Sequence, residues 1–389
     1  MSFPEDCTGQ MVSGRLFPNL IDGRNLIWGI CRGGHFPGGI WHNIIAERKK
    51  DMIYPQRMQR GDLIGVTATS AGIYTERDQI KLDLAYSQIE SLGYHIMETE
   101  NVRTNRKLVS SSPRERADQF MALWEDGDVR MIAQVFGGEL LIEILPFLDP
   151  ERIAASKPKW VTGFSDSSLL NFYLTTAFNI ATATMDNILY FGMEELHPSL
   201  TNQISILEEC GWSRQENFDL FQVEEYEDER YYEYYNLTEP VVYSHLYGKD
   251  SEKVSGRIIG GCIDVLRYII GTPFDHTREF CSRFPEGMLW YLDNCQLTMP
   301  EFRRTLWQAK NAGWFENARG ILVGRTYSEE IFEDYEYADA LHDSFDELGI
   351  PVICDVDIGH VQPQWTMING AYGEFTYENG EGELVTQMC

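Results

Sequence analysis

From position 62 onward, short apolar runs alternate with amphipathic segments of helical spacing. The apolar runs predict strands at 63–69, 131–136, 160–163, 256–259, 288–292, 321–323 and 352–355. The amphipathic segments predict helices at about 82–93, 112–123, 140–148, 169–174, 262–270, 302–312 and 338–348. Uniformly apolar strands that alternate with helices are typical of parallel sheets covered on both faces. The pattern therefore predicts an α/β fold.

Three regions are distinguished by this pattern. Residues 1–52 are rich in Gly, Arg and Pro without sustained periodicity, so we interpret them as an extension of unknown role, and Met52 is an alternative natural start. A first α/β domain is predicted at 53–241 and a second at 242–389. The first contains an acidic, Tyr-rich insertion at about 208–240, which is either a solvated loop or one wall of a substrate cleft.

The charge balance excludes several classes of function. Asp and Glu number 60 against 32 Lys and Arg, which gives a net charge of −28. Nucleic acids and anionic membranes attract basic surfaces, so neither is an expected partner. No apolar stretch approaches the roughly 20 residues that span a bilayer, and the first thirty residues have no secretory signal pattern. We expect a cytoplasmic protein.

Metal and nucleotide motifs are absent from the sequence. The eight cysteines form no C-x-x-C pair and the eight histidines form no H-E-x-x-H motif, so free thiols are expected and a zinc hydrolase is not supported. After the first strand, Ser70-Ala71-Gly72 does not supply the G-x-G-x-x-G of a dinucleotide-binding dehydrogenase. We expect no cofactor and no metal.

Candidate chemistry begins at Gly163-Phe164-Ser165-Asp166-Ser167, where a predicted strand turns into a predicted helix. A serine in such a turn can present its hydroxyl as a nucleophile, although Ser167 stands where the G-x-S-x-G motif has its second glycine. The alternative is that Ser165 only caps the following helix.

Gly137 and Gly138 follow another predicted strand and are expected at the same carboxyl edge as Ser165. The backbone N–H groups of Gly138 and Asp166 could then form an oxyanion hole. A simple tight turn is the alternative interpretation.

A nucleophilic serine needs a base and an orienting carboxylate. His360 follows a predicted strand in the second domain, and Asp293 ends another. Both positions lie in strand-end loops, where functional residues concentrate. The order Ser, acid, His is that of α/β-hydrolases, but here the acid and base come from a different domain than the serine.

A set of ordered motifs extends over more than 300 residues: Gly61-Asp62-Leu63-Ile64-Gly65-Val66, Phe136-Gly137-Gly138, Gly163-Phe164-Ser165-Asp166, Gly256-Arg257-Ile258-Ile259-Gly260-Gly261-Cys262, Leu289-Trp290-Tyr291-Leu292-Asp293, Arg303-Arg304 with Ala312-Gly313-Trp314-Phe315, and Asp355-Val356-Asp357-Ile358-Gly359-His360. In these motifs the chain resembles the serine LD-carboxypeptidase family, which includes the microcin C self-immunity peptidases.

The resemblance implies a Rossmann-like parallel-sheet N-terminal domain, a smaller α/β C-terminal domain and an active site in the groove between them. It assigns Ser165 as nucleophile, His360 as base and Asp293 as acid. It assigns the amides of Gly138 and Asp166 as the oxyanion hole. The family usually has Glu where this chain has Asp293, a side chain that is one methylene shorter.

The resulting hypothesis is a cofactor-independent serine peptidase or amidase with a small peptide-like substrate. The resemblance implies either the terminal D-Ala of murein tetrapeptides or a microcin C-like aminoacyl nucleotide, and aromatic residues of the insertion could stack on the base of the latter. The alternative is a catalytically impaired, ligand-binding relative in which Asp293 fails to replace Glu. The oligomeric state is left open, a homodimer included.

Overall fold

The computed structural model describes residues 51–209, 211–226, 232–326 and 334–388. The extension predicted at 1–52 lies outside the described residues apart from its last two positions, and the insertion predicted at 208–240 is described except at 210 and 227–231. Within the described ranges, no helix is both long and apolar enough to cross a lipid bilayer.

The first sheet has six strands in the spatial order β14-β5-β4-β3-β1-β2. They are β1 (Leu63–Thr67), β2 (His95–Glu98), β3 (Val129–Gln134), β4 (Trp160–Thr162), β5 (Thr182–Thr184) and β14 (Met367–Asn369). The first five run parallel, whereas β14 pairs antiparallel with β5. The parallel strands require crossover connections, which the helices of this half supply.

The helices of this half are α1 (Glu76–Ser91), α2 (Pro113–Glu125), α3 (Pro150–Ala155), α4 (Ser168–Phe178) and α5 (Pro198–Glu208). Ser112 and Glu115 form a capping box at the start of α2, with Pro113 in its first turn. The helix predicted at 140–148 is wrong in type. Leu141–Phe147 is a 3-10 helix that contains Pro146, and a proline that lacks an N–H cannot take part in a regular α-helical ladder there.

The second sheet has eight strands in the order β6-β16-β15-β10-β11-β12-β13-β9. They are β6 (Trp212–Glu216), β9 (Ser244–His245), β10 (Ser251–Cys262), β11 (Met288–Asp293), β12 (Ala318–Gly324), β13 (Val352–Val356), β15 (Tyr372–Glu378) and β16 (Glu381–Gln387). β10 to β13 form a parallel centre, and the outer strands are antiparallel. A separate two-stranded sheet pairs β7 (Leu220–Gln222) with β8 (Leu237–Pro240).

The helices of the second half are α6 (Ile263–Leu266), α7 (Thr277–Arg283), α8 (Met299–Asn311) and α9 (Tyr337–Phe345). Two of the predicted helices are shorter than expected. The one at 262–270 is a single turn, α6, continued by the 3-10 turn Arg267–Ile269. The one at 338–348 ends at Phe345, followed by a 3-10 turn that stops at Gly349, whose φ is 62°.

Helix α4 packs between the two halves of the chain. Every residue of α4 is buried, although most surface helices bury one face only. Its Phe172 stacks on Trp314 at a ring distance of 5.3 Å, and Trp314 stacks on Trp290 of β11 at 5.8 Å. The helix that begins beside Ser165 is therefore packed against the second sheet. The predicted α/β fold class, with a parallel-sheet N-terminal region and a second α/β domain, is confirmed.

Candidate active site

The turn between β4 and α4 carries Ser165. Its φ of 61° lies in the left-handed region, which strains a non-glycine residue and is a feature of functional sites. Ser165 is partly exposed while Asp166 and Ser167 beside it are buried. Neither the 3-10 turn Ser165–Ser167 nor α4 begins with a side-chain capping hydrogen bond, so the structure does not favour the helix-cap interpretation.

Gly137 and Gly138 lie directly against this turn. A Cβ on Gly137 would be 3.0 Å from the Ser165 Oγ and 3.8 Å from the Asp166 backbone N. Gly138 has a φ of 140°, and a Cβ there would lie 2.3 Å from the Ser70 Oγ. Because no other side chain fits, both glycines are required for this close approach. The structure therefore brings the predicted oxyanion-hole residues to the same place as Ser165.

The Asp166 side chain ties the glycine loop to the serine turn. Its Oδ2 accepts hydrogen bonds from the Ser70 Oγ at 2.5 Å and from the Leu141 N–H at 2.8 Å. Burial raises the pKa of the Asp166 carboxyl, and these two hydrogen bonds oppose that effect. The contacts hold Asp166 in place, so the direction of its backbone N–H is set by the packing around it.

The predicted base and acid come from the second half of the chain. Asp293 is the last residue of β11, and His360 lies in the loop after β13. The His360 Nδ1 donates to the Asp293 Oδ2 at 2.7 Å, with 14% and 4% of the two side chains exposed. The His360 ring packs on the Phe164 ring with their centroids 5.0 Å apart. The predicted acid and base are thus bonded to each other beside the residue that precedes Ser165.

The negative charge of Asp293 raises the pKa of the His360 imidazole. Burial disfavours the charged form of His360, but the carboxylate of Asp293 and its hydrogen bond outweigh burial and hold the pKa of His360 well above its ordinary value. The Cys295 thiol is a further hydrogen-bond partner of His360. A positively charged imidazolium is therefore stabilised at this position.

Cys262, Asp293 and His360 are the residues here that could hold a metal ion. The parallel register pairs Cys262 with Asp293, and one potential ligand atom from each residue lies within 4.8 Å of the others. However, the His360 Nδ1 and the Asp293 Oδ2 are bonded to each other, and burial raises the pKa of the Cys262 thiol well above its ordinary value. The geometry therefore favours an acid–base pair.

A buried carboxylate fixes the loop that carries His360. Asp357 accepts from the Tyr243 hydroxyl at 2.6 Å and from the Phe218 N–H at 2.9 Å, and it pairs with the Arg325 Nη2 at 2.5 Å. These partners come from three separate segments of the chain. A loop that is restrained at Asp357 presents His360 in one defined place.

The described part of the Tyr-rich insertion packs on both halves of the chain, and its strand β6 pairs with β16 in the second sheet. The Arg77 Nη2 of α1 donates to the Tyr226 carbonyl at 3.3 Å. Tyr235 is buried, and its ring lies 5.3 Å from that of His197. This packing departs from the interpretation of a fully solvated loop.

Two residues that hold the site in place were missed by sequence reasoning: Ser70 and Asp357. Each is a polar residue within three positions of the carboxyl end of β1 or β13. Polar residues at that edge of a parallel sheet are the signal that could have found them.

We expect Gly359→Ala to impair both activity and folding. Gly359 has a φ of 94°, and a Cβ there would lie 2.0 Å from the Asp293 Oδ1, so the carboxylate must leave His360. The strain and overpacking should cost about 1–3 kcal/mol of stability. Gly127→Ala is the matched control, because a Cβ at Gly127 meets nothing within 4 Å. Thermal denaturation and kcat measured on both variants check the prediction, and equal behaviour of the two would contradict it.

Family models of both domains of the LD-carboxypeptidases match the chain. The LD-carboxypeptidase N-terminal domain matches residues 64–185, and the LD-carboxypeptidase C-terminal domain matches residues 255–375. Together these ranges cover more than half of the chain. The first range contains Ser165, and the second contains Asp293 and His360.

Curated relatives cover most of the chain. "Putative carboxypeptidase YocD" of Bacillus subtilis (strain 168) is 25% identical over 320 residues, which are 80% of this chain and 92% of the relative. The Microcin C7 self-immunity protein MccF of Escherichia coli is 24% identical over 349 residues, which are 84% of this chain and 94% of the relative.

Solved structures share the fold. An MccF-like protein from Bacillus anthracis has a TM-score of 0.74 at 21% identity, over 87% of this chain and 100% of that chain. MccF in complex with glutamyl sulfamoyl guanosine has a TM-score of 0.70 at 21% identity, over 86% and 98%. A muramoyltetrapeptide carboxypeptidase from Oxalobacter formigenes has a TM-score of 0.64 at 18% identity, over 83% and 98%.

The motif resemblance and the family models agree over residues 64–185 and 255–375. The relatives are named as carboxypeptidases and as a self-immunity protein, which supports a peptidase that acts on peptide-like substrates. The chain belongs to the LD-carboxypeptidase family.

Proposed function

We propose that this protein is a cofactor-independent serine peptidase or amidase in which Ser165 is the nucleophile, His360 the general base and Asp293 the acid that orients it. The observation that carries the proposal is the 2.7 Å hydrogen bond between His360 and Asp293, placed against Phe164 next to a strained serine. A division into a nucleophile-bearing domain at 53–241 and an acid- and base-bearing domain at 242–389 is part of the same proposal.

The reaction begins when the Ser165 Oγ attacks the carbonyl carbon of the substrate amide. His360 takes the hydroxyl proton at Nε2 as the Oγ–C bond forms, since its Nδ1 is bonded to Asp293. The N–H groups of Gly138 and Asp166 stabilise the negative carbonyl oxygen. His360 then gives the proton to the leaving amine and the C–N bond breaks. Finally, His360 takes a proton from water as the water oxygen bonds to the acyl carbon. The Oγ–C bond then breaks, and His360 returns the proton to the Ser165 Oγ.

The shorter acid is compatible with this mechanism. Asp293 reaches the His360 Nδ1 at normal hydrogen-bond length in spite of having one methylene less than Glu. The contact favours an active enzyme over the impaired binding protein.

For the substrate, we propose one of two peptide-like classes. The murein class is supported by the structural likeness to a muramoyltetrapeptide carboxypeptidase, and it requires cleavage before a terminal D-Ala. The microcin class is supported by the likeness to MccF, whose structure holds glutamyl sulfamoyl guanosine. In both classes the Ser165 Oγ would attack the carbonyl carbon of the bond that is cleaved.

The test compares wild type with Ser165→Ala on a murein tetrapeptide and an aminoacyl nucleotide, with products measured by mass spectrometry. We expect wild type to cleave one of them and Ser165→Ala to lose at least about 10³-fold in kcat. Labelling by a fluorophosphonate should be lost together with activity. Ser167→Ala is the control, because among the described residues its Oγ makes a single hydrogen bond, a long one of 3.4 Å to the Phe136 carbonyl.

Each other outcome has a distinct meaning. Labelling of Ser165 without cleavage of either substrate would show that both substrate classes are wrong. Folded wild type that is neither labelled nor active would favour the ligand-binding alternative.

A further inference from the structure

A further buried carboxylate, Asp186, has no part in the mechanism above. It follows β5 and is 1% exposed. Its Oδ1 accepts from the Nε2 of Gln362 at 2.7 Å and of Gln364 at 2.8 Å, and its Oδ2 accepts from the Gln203 Nε2 at 2.7 Å. Within the described ranges, no Lys or Arg forms an ion pair with Asp186. Three neutral amides therefore surround one carboxylate.

The three donors come from two different parts of the molecule. Gln203 is on α5, in the same half of the chain as Asp186. Gln362 and Gln364 lie in the loop that carries His360, two and four residues after it. Asp186 thus connects the sheet that bears the nucleophile to the loop that bears the base.

The hydrogen bond to Asp186 orients the Gln362 side chain. The Gln362 Oε1 has no hydrogen-bond partner in the described part of the chain, so the bond from its Nε2 to Asp186 is what orients it. The Asp186 carboxylate also interacts electrostatically with His360. Burial raises the pKa of Asp186 to about 6, so at neutral pH the group is an anion that accepts all three bonds.

We propose that Asp186 is a positioning residue that holds the His360 loop on the nucleophile-bearing sheet at the distance that proton transfer requires. The inference rests on the proposed function, because it acts through His360. A displacement of about 1 Å in a catalytic group can cost about 100-fold in rate. The predicted effect is therefore on kcat, while substrate affinity changes little.

Asp186→Asn tests the proposal with an almost unchanged shape. The amide of Asn turns a donor toward one of the Gln donors, so it cannot accept all three bonds. We expect kcat to fall about 10- to 100-fold with KM within about threefold of wild type. The rate of fluorophosphonate labelling of Ser165 should fall with kcat, since labelling uses the same base.

Gln362→Met and Gln203→Met form a matched pair should Asp186→Asn fold poorly. Each removes one amide donor to the same carboxylate. Gln362 is itself part of the base loop and bonds to Asp186 at 2.7 Å, whereas Gln203 is on α5 and reaches that loop only by a 3.4 Å contact with the Gln364 carbonyl. We expect kcat of Gln362→Met to fall at least fivefold further than that of Gln203→Met at comparable melting temperatures. Equal losses in the pair, or a folded Asp186→Asn with wild-type kcat, would overturn the proposal.

The same assays separate this proposal from the proposed function. If Ser165→Ala and His360→Ala lose activity while the Asp186 and Gln362 variants keep it, only the positioning role fails. If Ser165→Ala stays active, the proposed function itself fails, and the positioning role fails with it.

Discussion

Replacing His360 with alanine is expected to reduce kcat/KM by about 10³-fold or more while the protein stays folded. Without the imidazole, no group takes the Ser165 proton or protonates the leaving amine. The side chain is 14% exposed and lies in a loop, so its removal should change the melting temperature by only a few degrees. Steady-state kinetics and thermal denaturation measure the two effects.

The chain contains its own control for this experiment. His342 pairs with Asp346 at 3.0 Å on the exposed face of α9, in the same kind of His–Asp contact. His342→Ala should retain wild-type kinetics. Activity of His360→Ala at a tenth of wild type or more would remove His360 from the role of base.

Asp293→Asn is expected to lower kcat/KM by about 10²- to 10⁴-fold, the second largest effect. The amide keeps the shape but loses the charge that stabilises the imidazolium. The base must be neutral to accept a proton, so activity should rise with pH through the His360 pKa, with a midpoint above the ordinary 6.5. Removing the Asp293 charge should move that midpoint to lower pH. Profiles of kcat/KM from about pH 5 to about pH 9 measure both effects.

Asp293→Glu tests whether the site has adapted to the shorter acid. The space between Gly359 and the Asp293 carboxylate is too small even for a Cβ on Gly359, which would lie 2.0 Å from the Asp293 Oδ1, so a methylene added to Asp293 must displace something. Overpacking costs about 1–3 kcal/mol, part of which should raise the barrier, so we expect activity to fall or stay level. A several-fold rise in kcat would instead indicate a site that still suits Glu.

The Asp293→Asn prediction has a control in Asp346→Asn, which also removes a carboxylate beside a histidine. An Asp293→Asn variant with wild-type activity would exclude Asp293 from the mechanism.

Much of the architecture follows from the local pattern of apolar and polar residues along the chain. The predicted strands are present within a few residues, because short apolar runs bounded by turn residues are typical of strands in a covered sheet. The outer strands β15 and β16 were missed, although their residues alternate between buried and partly buried along each strand. The insertion at 208–240, for which the sequence predicts a solvated loop or a cleft wall, contributes the strand β6, which pairs with β16 at the edge of the second sheet. Strand pairing between distant segments depends on tertiary contacts that no local window contains.

For the site, the sequence by itself determined which residue types stand at the ends of the strands, and so the candidates Ser165, Asp293 and His360. Only the tertiary structure decided that Ser165 takes a left-handed φ, that Asp293 reaches His360, and that Asp186 bonds to the base loop. The reason is physical. The apolar periodicity that forms strands acts over a few residues, whereas hydrogen bonds between Asp186 and Gln362, 176 positions apart, exist only after both sheets have folded against each other.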